Sequence, residues 1–209
     1  SKTAIENIIK LSEHKPEFII FADTNFILSL LGLHESPLNE TAVHVKKLLD
    51  KISRTINVKL YVSPITITET RSVLRAISNE FRDLRVSPNM AEASLKAGIG
   101  DSIIRKLFEE VKNSGTILTA GAYFSPYISD LGPILKNNGI DLFNDRGINS
   151  YEENQEVKSD IKNEISYESK RYAGPTLKTV EQLKHDTSLW HFVSDKRDPT
   201  SSTIDAKFW

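Results

Sequence analysis

The chain has no cysteine, so neither a disulfide framework nor a thiolate-bound metal is open to it. No apolar run approaches the roughly 20 residues that span a bilayer, and no signal-peptide pattern opens the chain. These absences lead us to expect a cytoplasmic protein that has no membrane partner. An excess of charge is missing too: 27 Lys and Arg against 28 Asp and Glu leave a formal net charge of −1. Bulk electrostatics therefore draws the chain to neither nucleic acid nor membrane. A polyanion would have to be held locally, by a few basic groups or by metal ions. There is no internal repeat and no low-complexity tract. The chain starts at Ser1 rather than Met and stops on the strand-like run Ile204–Trp209, as expected of a piece of a longer protein.

What is present is ordinary for a globular protein, with 39% hydrophobic and 26% charged residues, and 209 residues suffice for one domain with a proper core. The stretch Phe18-Ile19-Ile20-Phe21-Ala22-Asp23 organises the rest. Its five apolar residues do not alternate with polar ones, the pattern of a strand buried on both faces at the centre of a parallel sheet. In such sheets ligands sit beyond the carboxyl ends of the strands, which is where Asp23 falls. Thr24 or Asn25 is placed to cap a helix carrying Phe26, Ile27, Leu30, Leu31 and Leu33, and Asp23 itself reads equally well as that cap.

Further along, residues 4–11 fit a short amphipathic helix, and residues 40–54 a helix with Val43, Val45, Leu48, Leu49 and Ile52 turned inward. Val58–Val62 reads as a second strand, followed after Ser63-Pro64 by a helix bearing Val73, Leu74, Ile77 and Phe81. This order of strands and helices predicts an α/β fold with a parallel sheet and right-handed crossovers. Residues 83–100 read as a loop or irregular helix, Ser102–Asn113 as an amphipathic helix and Ile128–Leu135 as helical; Ile117-Leu118 and Ile140–Phe143 read as short strands. Residues 151–172, poor in large apolar groups, predict a solvated helix projecting from the body. A last helix is expected over about 176–194, before the final strand.

Three carboxylates stand out. Asp23 ends the first strand. Glu69 lies in the helix after the second strand, although Thr66-Ile67-Thr68-Glu69 also reads as a capping box. On the last helix Val180, Leu183, Trp190 and Val193 form an apolar stripe, and Asp186 falls within it. A charge on a core-facing stripe costs several kcal/mol unless it is paired or bound to metal. His185 lies about 100° away around the helix and reads as a packing or hydrogen-bonding residue outside that site. Oxygen-only ligands from separate elements suit Mg²⁺ or Mn²⁺. Paired ions of that kind activate a water and stabilise the leaving oxygen in phosphodiester cleavage.

These stretches, Phe18–Asn25, Ser63–Glu69 and His185–Trp190, together resemble the successive motifs of PIN-like nuclease domains, in order along nearly the whole chain. The resemblance implies a three-layer α/β/α sandwich with a central, mainly parallel sheet. It also implies metal-dependent nuclease activity, on RNA more than on DNA. Carried over residue by residue, it makes Asp23, Glu69 and Asp186 catalytic and metal-holding, with Asn25 and Thr24 in support. PIN-like domains commonly place one more aspartate after the last core strand, and here the chain ends before that pattern. The stretch 83–172 exceeds a minimal PIN-like domain and is expected to be a mainly helical elaboration that grips substrate or a partner, including other domains of the parent protein.

Arg71, Arg75, Lys184, Lys196 and Arg197 are the basic groups near this site, with Arg71, Lys184 and Arg197 the candidates to hold a phosphate backbone. Tyr123, Phe124 and Tyr127 are placed either to stack on bases or to pack. Two rivals share the opening acid. Phosphatases of the haloacid dehalogenase type need a second aspartate two residues on, where this chain has Asn25. A PIN-like domain that only binds or scaffolds would keep its acids without catalysis. A Rossmann-type nucleotide module is disfavoured, because no glycine-rich loop follows the first strand.

Overall fold

Phe18 to Ala22, which do not alternate in sequence, lie in strand β1 (Glu17–Ala22), paired in parallel with β2 (Asn57–Val62) in a register running from Glu17 opposite Asn57 to Ala22 opposite Val62. A short strand β5 (Asp141–Leu142) adds to the far edge of β2, again in parallel. The computed structural model describes residues 17–54, 56–144, 147, 151, 153–171 and 179–196. Among these, nine helices accompany the small parallel sheet, so the chain is α/β and mostly helical. The expected helix at 4–11 and strand at 204–209 lie outside the described residues. Within the sheet it is β2 that lies between two strands, whereas β1 has one described partner.

Both faces of the sheet carry apolar groups. Ala22, Leu60 and Val62 meet Ile27 of α1 (Thr24–Leu30), Ile67 of α3 (Pro64–Glu80) and Leu131 and Leu135 of α7 (Leu131–Asn137); Leu49 of α2 (Asn39–Ile52) packs on the edge of that cluster. On the other face, the Phe21 ring lies 5.6 Å edge-on from Phe192 and 4.9 Å from Phe143. Phe192 belongs to α9 (Val180–Lys196), so that helix covers the aromatic side of the sheet. Offset and edge-on ring contacts of this kind add about 0.5–1.5 kcal/mol each to the area they bury.

A second core lies apart from the sheet. It joins Leu28, Leu33 and Leu74 to α4 (Pro88–Lys96), α5 (Ile104–Ser114) and α6 (Ala120–Ser129), and a two-residue antiparallel ladder of β3 (Arg85–Val86) with β4 (Leu118–Thr119) closes it. Residues 83–100 are thus more regular than their sequence suggested. Ser87 caps α4 by accepting the Met90 amide, and Pro88 occupies the first turn. That Ser-Pro start repeats the one at Ser63-Pro64, and its helix is simply short. Helix α5 stops at Gly115, whose φ of 68° is costly for any residue with a Cβ.

The stretch 151–172 is also corrected. Helix α8 (Gln155–Arg171) does not project but packs along α9, with Val157 and Ile161 buried and the Asp160 carboxylate 2.9 Å from His191 Nε2. Two inward apolar side chains and one polar tie are enough to seat a helix that is otherwise solvated.

Candidate functional site

The ends of β1 and β2 deliver two helix starts to one edge of the sheet. Asp23 follows β1 directly and caps α1, accepting the Phe26 amide at 2.7 Å on Oδ1. Its carboxylate is exposed. Neither Thr24 nor Asn25 is the cap: Thr24 is buried at the first helical position, and Asn25 is exposed at the second. Ser63 follows β2 and caps α3, accepting the Thr66 amide at 3.0 Å. The capping box expected at Thr66–Glu69 is therefore not formed. Thr66 already lies within the helix, which frees Glu69 one turn further on to face α1. The reciprocal box sits instead at the start of α9. There Thr179 Oγ1 accepts the Gln182 amide at 3.2 Å and Gln182 Oε1 accepts the Thr179 amide at 2.9 Å.

Glu69 Oε2 accepts the Thr24 hydroxyl at 2.5 Å and lies 3.4 Å from His185 Nδ1 on α9. The same nitrogen is 3.2 Å from Asp186 Oδ1. Three elements distant along the chain (α1, α3 and α9) thus converge, and the carboxylates of Glu69 and Asp186 flank one ring nitrogen. On its other side the ring is held by Thr66 Oγ1, 2.9 Å from Nε2, and Thr66 Oγ1 in turn lies 2.8 Å from Ser63 Oγ. Thr70, one turn on in α3, donates back to the Thr66 carbonyl at 2.8 Å, and its hydroxyl lies 3.4 Å from Thr24 Oγ1 of α1. Ser63, Thr66, Thr70 and His185 are all buried, and a polar group there is costly unless it is hydrogen-bonded.

The inward face of α9 is not the one its apolar stripe suggested. Val180 and Trp190 are exposed, and so is Asp186, with 48% of its side chain in contact with solvent. The buried residues are Leu183, His185, Ser188, His191 and Phe192, and the His185 side chain is only 4% exposed. Asp186 therefore needs no rescue from a core position. His185, set aside in the sequence as a neighbour outside the site, is its centre. The sequence signal was the spacing of His185, Ser188 and Phe192, three and four residues apart, obscured because two of the three are polar.

The basic residues fare unevenly. Arg71 reaches across to α6 and donates to the Ser129 carbonyl at 3.2 Å, a structural tie between helices. Lys184 pairs with Glu181 on its own helix at 3.0 Å. Arg75 is exposed, Lys196 lies 5.4 Å over the Phe192 ring, and Arg197 is outside the described residues. Tyr123, Phe124 and Tyr127 pack. Phe124 is fully buried with the Tyr123 ring 4.8 Å away edge-on, and burial together with Tyr127, Glu110 and Glu109 pushes the Tyr123 hydroxyl up to about 12.

No family model, curated protein or solved structure matches the chain. What the site can do must come from its own donors. Among the described residues no group of three or more His, Asp or Glu side chains is arranged to hold a cation by itself. Mg²⁺ and Mn²⁺ do not require such a cage: they accept one or two carboxylates and keep several waters. The oxygen donors near His185, the partly buried Glu69 and the exposed Asp186, are of the type that Mg²⁺ and Mn²⁺ take. A cleft of about 580 Å³ opens beside Asp186 between α8 and α9, with Asp160, Glu164 and the 64% exposed Trp190 along it.

Proposed function

We propose that the chain is a PIN-like, metal-dependent nuclease domain that hydrolyses phosphodiester bonds, with RNA its preferred substrate. The observation that carries this reading is the convergence at the carboxyl edge of a parallel sheet. Glu69 and Asp186 flank His185 Nδ1, and Glu69 also binds Thr24, the residue next to Asp23. Helices covering both faces of the sheet support the three-layer arrangement of such domains. Glu69 and Asp186 would hold Mg²⁺ or Mn²⁺, and Asp23 would join them by turning its exposed carboxylate from the cap. A divalent ion so held would supply a water activated for attack on phosphorus and a counter-charge for the phosphate. The chain's own residues orient the carboxylates and bring the helix starts together. The preference for RNA rests on the PIN-like resemblance.

Asp23→Asn is the sharpest test, because Asn caps a helix about as well as Asp does. The variant is expected to lose cleavage of a labelled single-stranded RNA in Mn²⁺ while its unfolding midpoint moves by no more than a few degrees. Full activity in Asp23→Asn would remove the first acid from the mechanism. A second reading, a PIN-like module that binds or scaffolds without catalysis, draws on one observation: Arg71 and Lys184 are engaged within the protein rather than presented to a phosphate backbone. Calorimetric titration separates the two, since the scaffold has no reason to bind Mn²⁺ where the nuclease must.

A further inference from the structure

We infer that His185 is the positioning residue of this site: its Nδ1–H sets the Glu69 and Asp186 carboxylates against one another, and the cap of α3 sets the ring. The inference rests on the metal reading above and deepens it.

The hydrogen-bond roles follow from which groups can only accept. A carboxylate offers no hydrogen, and Nδ1 faces two of them, at 3.2 Å from Asp186 Oδ1 and 3.4 Å from Glu69 Oε2. Nδ1 is therefore the nitrogen that carries the hydrogen. In the neutral ring Nε2 must then accept, and the Thr66 hydroxyl, 2.9 Å away, donates to it. Thr66 Oγ1 is left to accept from Ser63 Oγ at 2.8 Å, while Ser63 Oγ accepts the Thr66 amide at 3.0 Å. One consistent direction runs from the helix cap through Thr66 and the imidazole to the acids. Ser63, Thr66 and the His185 ring are buried, so water does not substitute for these members of the path.

This arrangement does what the partners behind metal-binding carboxylates commonly do. It fixes the orientation of the donors and offsets the repulsion between two like charges before an ion arrives. It also explains a choice that packing alone does not. A buried position on α9 that only needed volume would be filled by Leu or Met without the need for Thr66 and Ser63 behind it.

Two substitutions split the ring's two functions. In His185→Asn the side-chain amide places an N–H where Nδ1–H was, whereas in His185→Gln the amide reaches the Nε2 position and leaves the carboxylates without their donor. Mn²⁺ affinity, measured by calorimetric titration on the whole chain, is expected to fall about 10–100-fold in His185→Gln and by much less in His185→Asn. Equal affinities in both variants and the parent protein overturn the inference, as does an equal loss in both, which packing alone would produce. Should neither variant fold, the ¹⁵N spectrum of the histidine-labelled parent decides: a hydrogen on Nδ1 is expected, and a ring whose hydrogen sits on Nε2 alone overturns the proposal. A parent protein that binds no Mn²⁺ removes the metal reading and this role with it, whereas a parent that binds Mn²⁺ beside indifferent His185 variants sinks the inference alone.

Discussion

Helices α1 and α3 both begin at the carboxyl edge of the sheet, one strand apart, yet α1 is capped by an exposed carboxylate and α3 by a buried hydroxyl. Both caps satisfy the same need, a helix amide left without an intrahelical partner. They differ because their surroundings do. Asp23 stands where water reaches it, so its charge is cheap and stays available to a ligand. Ser63 stands under α9, where a charge would be expensive and a hydroxyl can both accept from its own helix and continue toward Thr66 and His185. The same local rule thus yields an exposed, charged edge at one helix and a buried structural tie at its neighbour.

The comparison is broken most severely at Thr66. Thr66→Val keeps the shape but leaves Ser63 and the His185 ring without their partner, a loss expected to cost about 1–3 kcal/mol in chemical denaturation. Thr66→Ser, which keeps the hydroxyl, should cost clearly less; equal losses would mean that the methyl, not the hydrogen bond, matters there. The exposed cap is expected to matter about half as much. Asp23→Ala should cost about 1 kcal/mol by the same measurement, and a cost above that of Thr66→Val would reverse the ranking drawn between the two starts.

The smallest effect concerns the far end of α1. There His34 Nε2 lies 2.8 Å from Ser29 Oγ, and burial holds the imidazole below its ordinary value of 6.5. A histidine with a lowered folded pKa takes up its proton more readily once unfolded. The stability it contributes is therefore complete above the ordinary value and is lost as the pH falls through it. The unfolding midpoint is expected to drop modestly between about pH 7 and about pH 5, and by less in His34→Gln. An identical drop in both proteins would assign the acid sensitivity elsewhere.

Much of this was readable along the chain. The unbroken apolar run at 18–22 and the Val58–Val62 stretch both lie in strands, and the helices after them start where Asp23 and Ser63-Pro64 said they would. The two short strands read at 117–118 and 140–143 lie at 118–119 and 141–142. The site was half legible. Glu69 and Asp186 both approach His185 Nδ1, but Asp186 is an exposed side chain rather than a charge trapped on a core stripe. Helix α9 carries two overlapping faces, and Trp190 made the exposed face look like the inner one.

Apolar patterning, helix-start chemistry and the absence of cysteine are local properties, and the sequence alone determined them: two buried strands, each followed by a helix, and a chain with no thiolate to offer. Which way α9 turns was decided only in three dimensions. A buried histidine is tolerable only if its partners arrive from elsewhere, and the partner of His185 Nε2 is Thr66, 119 residues earlier in the chain. No local pattern carries that information, because a polar residue's burial depends on a hydrogen bond that exists only once the helices have packed.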